Sequence, residues 1–259
     1  MAFSLREWRR ERILRRVAID EGLWRACVAR YGFVSALDAA EQARLRRWTT
    51  LFLAEKRFWA APGLELTEAM KIDVAAQACL LILELDLSAY EGWREIVVYP
   101  DEFVVEHSWT DEAGVVHQDP HARAGEAWLG GPVVLSWADV ARAAEGDGVN
   151  VVIHEFAHKL DMANGTANGF PPLHRGMDRA AWSAAFSAAF ADFRRRVARH
   201  ECTAIDAYAA ESPAEFFAVV SEGFFEVPEA VRAAYPAVYE QLRLFYRQDP
   251  AARLAALAA

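Results

Sequence analysis

Between residues 5 and 60, apolar side chains return every three or four positions among Arg, Glu and Ala. That spacing lines one face of a helix, and several amphipathic helices are predicted there. Pro62-Gly63 breaks the pattern. Thr67 can cap the next helix, which runs through MKIDVAAQACLLILEL and is apolar enough to require deep burial. From Trp93 the texture changes to short β-branched runs, REIVVYP, EFVVEHSW and WLGGPVVLSW, bounded by turn residues and read as three strands. Their connections are turn-like, which predicts antiparallel pairing, since parallel strands need a long crossover. Within the third run, Gly130 to Leu135 is predicted as an edge strand, because Pro132 lacks a ladder donor. Residues 138–145 read as helix, a further helix starts near Asn150, with Asn164-Gly165 able to end it in left-handed conformation, and the chain beyond Asp178 is mostly helical. Ser212-Pro213 and Pro228 interrupt that last stretch. No internal repeat or low-complexity linker divides the 259 residues. The simplest reading is therefore one α+β domain over 1–259, with a helical N-terminal part to about residue 90 and the remainder from about 91.

Composition narrows the function. Hydrophobic residues make up 54% and charged ones 25%, a globular balance. A net charge of -9 argues against general nucleic-acid binding, which needs a surplus of Lys and Arg. The Arg-rich start, MAFSLREWRRERILRR, is interleaved with Glu7 and Glu11 and reads as a solvated helix face. It has no apolar core of the signal-peptide kind, and no apolar stretch approaches the roughly 20 residues that span a bilayer. Cys27, Cys79 and Cys202 are scattered and odd in number, which predicts reduced thiols and a cytoplasmic protein.

The chemistry concentrates in GVNVVIHEFAHKLDMANG. His154 and His158 are four apart, which on a helix puts both imidazoles on one face, about 6 Å apart along the axis. Glu155, one residue round, can reach water at a metal without ligating it. An H-E-x-x-H triplet arises by chance in roughly one or two such chains per hundred. Val151, Val152, Ile153, Phe156, Ala157 and Leu160 make the helix apolar, so three ionisable groups among them would be costly without a cation, and one Zn2+ per chain is predicted. The metzincin continuation fails, since Asp161 and Asn164 occupy the places of its Gly and third His. Asp161 is too far along the helix to ligate; it suits orienting a histidine, or is a plain surface residue. A third ligand can come from AYAAESPAEFFAVVSEGFFE, where Glu215 sits in the first turn of a predicted helix and Glu222 lies two turns on. Ser212 to Glu215 is equally an S-x-x-E capping box, and spacing alone leaves both readings of Glu215 open.

Four segments resemble the Mlc titration factor A family, zinc-dependent bacterial peptidases of the gluzincin type: FLAEKRFWAAPGLELTEAM at 52–70, AAQACLLIL from Ala75, HEFAHKLD from His154, and IDAYAAESPAEFFAVVSEGFF from Ile205. The resemblance covers nearly the whole chain in the same order. It implies a mainly helical, zincin-like metallopeptidase domain with a small, mostly antiparallel sheet beside the H-E-x-x-H helix. It implies zinc ligands His154, His158 and Glu215, Glu155 as catalytic carboxylate, and Tyr208 as the group facing the reacting carbonyl, as in the similar catalytic domain of anthrax lethal factor. Aminopeptidase action on a peptide substrate and binding of an Mlc-type transcriptional repressor are implied as well. Glu211, Glu222 and Asp119 are carboxylates that could anchor a substrate amine. The competing reading is a non-catalytic repressor-binding protein whose zinc site is vestigial or structural.

Overall fold

The computed structural model describes residues 5–110, 116–123 and 125–258, with the backbone alone for 103–110, 116–123 and 257–258. Helices α1 (Leu5–Leu14), α2 (Glu21–Arg30), α3 (Gly32–Ser35) and α4 (Ala39–Glu55) open the chain, followed by strand β1 (Arg57–Ala60) and helix α5 (Glu68–Leu81). Strand β2 (Glu95–Tyr99), the hairpin β3 (Phe103–Thr110) and β4 (Val116–Arg123), β5 (Gly125–Ala127) and β6 (Val133–Ser136) come next. The remainder is helical: α6 (Trp137–Arg142), α7 (Val151–Asp161), α8 (Arg179–Ala198), α9 (Pro213–Glu226), α10 (Pro228–Ala234), α11 (Pro236–Tyr246) and α12 (Pro250–Ala258). The architecture is α+β and mainly helical, as the hydrophobic pattern predicts.

The caps are where the sequence put them. Thr67 accepts from the Met70 N–H, Asn150 from Ile153, and Ser212 from Glu215, each satisfying a donor that the first helical turn leaves unpaired. The C-terminal end of α7 differs: a 3-10 turn, Met162–Asn164, extends it, and Gly165 leaves at φ 144°, outside the left-handed helical region. The Arg-rich N-terminal helix is pinned by ion pairs. Arg10 donates to both oxygens of Asp86 at 2.7 and 3.0 Å, and Arg47 of α4 reaches Glu11 at 2.7 Å.

The sheet departs from expectation. Its order is β1-β2-β6-β5; β1 pairs parallel to β2, β2 parallel to β6, and only β5 runs antiparallel to its neighbour. It is mixed, not mostly antiparallel. Helix α5 supplies the crossover from β1 to β2, and the chain between β2 and β6 first leaves the sheet as the separate β3–β4 hairpin. Strands β2 and β3, joined by a short turn, are therefore not neighbours, and that turn gave the wrong pairing. Strand β1 itself lies inside the stretch read as helix. The predicted edge is corrected too: β6 is covered on both sides, and the outer strand beside it is β5.

Behind α7 sits an aromatic cluster. Phe156, fully buried, has ring centroids 5.2 Å from Tyr90 and 5.7 Å from both Phe52 and Trp93. Lys56 is buried with them. Its Nζ donates to the carbonyls of Tyr90 and Trp93 at 2.6 and 2.8 Å and lies 3.6 Å from the Trp93 ring centroid. Burial pushes its pKa down to about 8.

Two outcomes follow from this packing. Phe156→Ala should lower the free energy of unfolding by about 3–5 kcal/mol, read by denaturant titration. The unfolded chain holds the Lys56 proton up to a higher pH than the folded one, so its release favours folding above about pH 8. Compared with Lys56→Met, the wild type should therefore gain stability as pH rises from about 8 towards 10; a constant difference would contradict a buried ammonium.

Candidate metal centre

Helix α7 carries the H-E-x-x-H residues and α9 meets it face on. His154 Nε2 and His158 Nε2 lie 3.1 Å apart, and Glu215 Oε2 is 3.0 Å from the first and 3.2 Å from the second. His154, His158 and Glu215 form a group able to hold a metal ion, each offering one ligand atom. Ser212 does accept the Glu215 N–H at 3.1 Å, but the Glu215 carboxylate does not return to the cap. Half the capping box forms, and the other half is diverted to the histidines.

The opposite nitrogen of His154 is held from the same helix. Nδ1 lies 2.8 Å from Glu222 Oε1, while Glu222 Oε2 accepts the Asn150 N–H at 2.5 Å. Glu215 and Glu222 are seven apart, two turns of α9, and so present both carboxylates on one face. With its Nδ1 proton directed at Glu222, a neutral His154 turns the Nε2 lone pair towards Glu215 and His158. Acceptors facing acceptors repel unless a proton or a metal lies between them, so this donor set fits a divalent cation.

Charge bookkeeping in the surroundings points the same way. Burial pushes Glu155 up to about 7 and Glu226 up to about 8, and raises Glu222 as well. Glu215 moves the other way: burial opposes ionisation, yet its bonds to His154 and His158 hold it well below the usual carboxylate range. Burial also works against a charged His154, but the two carboxylates outweigh it and raise its pKa. Glu155 is 4% exposed, and its Oε2 has no hydrogen-bond partner. Glu155, Glu222 and Glu226 are thus costly to ionise where they stand.

Glu155 meets strand β5 directly. A Cβ on Gly125 would lie 2.5 Å from Glu155 Oε1 and 2.7 Å from Val151 Cγ2, so any side chain there would displace Glu155 or Val151. One turn on, Lys159 donates to the carbonyls of Trp128 and Gly131 at 2.6 and 2.8 Å, tying the β5–β6 turn to the same helix. Tyr208 stands in a 3-10 turn ahead of α9, 40% exposed, its ring centroid 6.0 Å from that of His154. A cleft of about 320 Å³ is lined by His154, Glu155, Tyr208, Gly125 and Glu222 among others.

Other candidates are placed differently. Asp161 orients no histidine: Oδ2 accepts the N–H groups of Asn168 and Gly169, both at 2.7 Å. Gly169 has φ 77° and packs against the Pro213 carbonyl, where a Cβ would come within 2.4 Å, so Asp161 holds the loop, leading into α8, that packs against the first residue of α9. Glu211 is exposed and does not line the cleft. The side chain of Asp119 lies outside the described residues. Glu222 is the residue whose role sequence reasoning left open, and its signal was the seven-residue spacing from Glu215.

The profile of the family described as Glucose-regulated metallo-peptidase M90 matches residues 5–247. The chain belongs to this family. Among its relatives are Mlc titration factor A of Serratia proteamaculans, 42% identical over 229 residues and covering 87% of each chain. The protein of that name from Salmonella arizonae is 42% identical over 223 residues, covering 84% of this chain and 88% of its own. The M90 assignment makes this a metallopeptidase-family chain, in keeping with a His-His-Glu cluster between α7 and α9. Among the described residues no helix is long and apolar enough to cross a membrane.

Glu222→Gln should lower metal affinity by about 10- to 100-fold in competition with a chromophoric chelator, because an amide oxygen serves only one of its two N–H donors. Glu211→Gln should leave the affinity unchanged.

Proposed function

We propose that the chain is a zinc-dependent peptidase acting as an aminopeptidase, with His154, His158 and Glu215 holding the ion. The observation carrying this reading is the convergence of these three ligand atoms beside a buried, unpartnered Glu155 oxygen in a cleft. A zinc ion held there would polarise a substrate carbonyl and lower the pKa of water at the site. Glu155 accepts the proton of the attacking water and delivers it to the departing amine; burial poises its pKa near neutrality, where a base that must also act as an acid works best. Tyr208 donates its hydroxyl proton as a hydrogen bond to the oxygen that gains charge. Glu222 keeps His154 oriented with its Nε2 lone pair inward. An extended substrate has the outer edge of β5 to pair with, a strand next to Glu155 and unpaired on one side in the sheet order.

The reading includes one catalytic unit spanning the chain, supported by a core that runs from Ile19 to Ala251 without division. It includes a cytoplasmic location, supported by three free thiols. Binding of an Mlc-type repressor is the second activity, supported by the names that the relatives carry. Such binding would use a surface and hydrolysis the cleft, so the two are separable.

The test is hydrolysis of amino-acid anilides by the purified protein. Turnover should vanish with chelator and return with Zn2+. Glu155→Gln should retain the metal while losing at least about 100-fold in kcat. Tyr208→Phe should lose about 10- to 1000-fold in kcat with little change in KM. A protein that binds metal yet turns over no anilide or peptide would favour the repressor-binding reading.

A further inference from the structure

Besides Glu155, three carboxylates line the cleft and take no part in gripping the histidines: Glu102, Asp139 and Asp206. The one Arg or Lys among the lining residues, Arg142, is turned to Asp147 at 3.0 Å. The fully buried side of the same cleft holds the unpartnered oxygen of Glu155. A cleft with this surplus of acceptors suits a ligand that brings a cation of its own.

An aminoacyl substrate brings that cation close to the reacting carbon. Its α-nitrogen stands about 2.5 Å from the carbonyl carbon, two bonds away, so the group receiving it must sit near the group that polarises the carbonyl. Glu222 is excluded, since both its oxygens are engaged, by His154 and by Asn150. In Asp139 the unpartnered Oδ2 is closed off from solvent. Of the two that remain, Glu102 and Asp206, only Asp206 is bonded to the turn that carries Tyr208. It is exposed, it caps the turn bearing Tyr208, and its Oδ1 accepts the Tyr208 N–H at 2.7 Å, leaving Oδ2 available. It lines the same cleft as His154, Glu155 and Tyr208.

We propose that Asp206 receives the α-ammonium group of the substrate and so restricts the cleft to peptides with a free N-terminus. This rests on the peptidase reading above and names the residue that makes the enzyme an exopeptidase.

Asp206→Asn is the discriminating variant, because an amide oxygen still caps the Tyr208 N–H while the charge is gone. In zinc-loaded protein carrying Glu155→Gln, binding of Ala-Ala amide and of its N-acetyl form is followed by calorimetry. Adding Asp206→Asn should weaken the free-amine ligand by roughly 10- to 100-fold and leave the acetylated ligand and the metal content unchanged. With Glu155 intact, Asp206→Asn should raise KM for alanine anilide by a similar factor with little change in kcat. Equal affinity of the two ligands for the Asp206→Asn and parent proteins overturns the assignment, and so does a selective loss in Asp139→Asn alone. Failure of the peptidase reading looks different: the wild type then shows no chelator-sensitive turnover, and the inference falls with it.

Discussion

One imidazole is held at both nitrogens by carboxylates of a single helix, and the arrangement around it follows from that grip. Glu215 and Glu222 reach His154 from positions two turns apart on α9, so rotation or sliding of α9 against α7 would break both contacts together. The grip also fixes which nitrogen of His154 carries the proton, since Glu222 accepts only from a protonated Nδ1. Asn150 binds the two helices again at their buried ends. Its N–H goes to Glu222, its Nδ2 donates to Gln77 and Glu226 at 2.8 Å each, and its Oδ1 caps α7. The residue that starts the H-E-x-x-H helix is thus the one that locks that helix to α5 and α9.

Such an arrangement carries a cost. Glu155, Glu222 and Glu226 all have raised pKa values, chiefly through burial, so each resists ionising in place. Removing charge from water is compensated only by an opposite charge at short range with its remaining lone pairs bonded. Two histidines supply at most a shared, pH-dependent share of that. A divalent cation between His154, His158 and Glu215 would supply it at all pH values where the ligands are deprotonated, which makes metal binding and folding coupled quantities here.

Local rules were legible in the sequence and long-range pairings were not. Thr67, Asn150 and Ser212 cap helices as read, because a cap depends on residues three positions away. The two histidines and Glu215, named together only through the family resemblance, lie within 3.2 Å of one another. Glu222 went unassigned because, without the partner helix, two turns of separation say only that two carboxylates share a face. Asp161 was misread for the same reason: its position on the helix was right, but its partners, Asn168 and Gly169, are in a loop that spacing does not place. Strand order failed most plainly. The apolar runs of β2 and β6 were found, yet the chain between them folds away as a hairpin, and turn composition is silent about which strand lies beside which.

The sorting of side chains around α7 explains how one short helix serves so many contacts. Successive residues point about 100° apart, so positions four apart form stripes. His154 and His158 make the stripe that meets α9. Glu155 and Lys159 make the next, against the Gly125 backbone and the carbonyls of Trp128 and Gly131, and so fix β5 along the helix. Val152 and Phe156 make the third and enter the aromatic core with Leu160. Each stripe demands a different chemistry from its neighbour: carboxylates, bare backbone, and rings. The face that meets α9 and the face that meets β5 are then adjacent by helical geometry alone, and with no side chain at Gly125 the strand comes close enough for both to border one cleft.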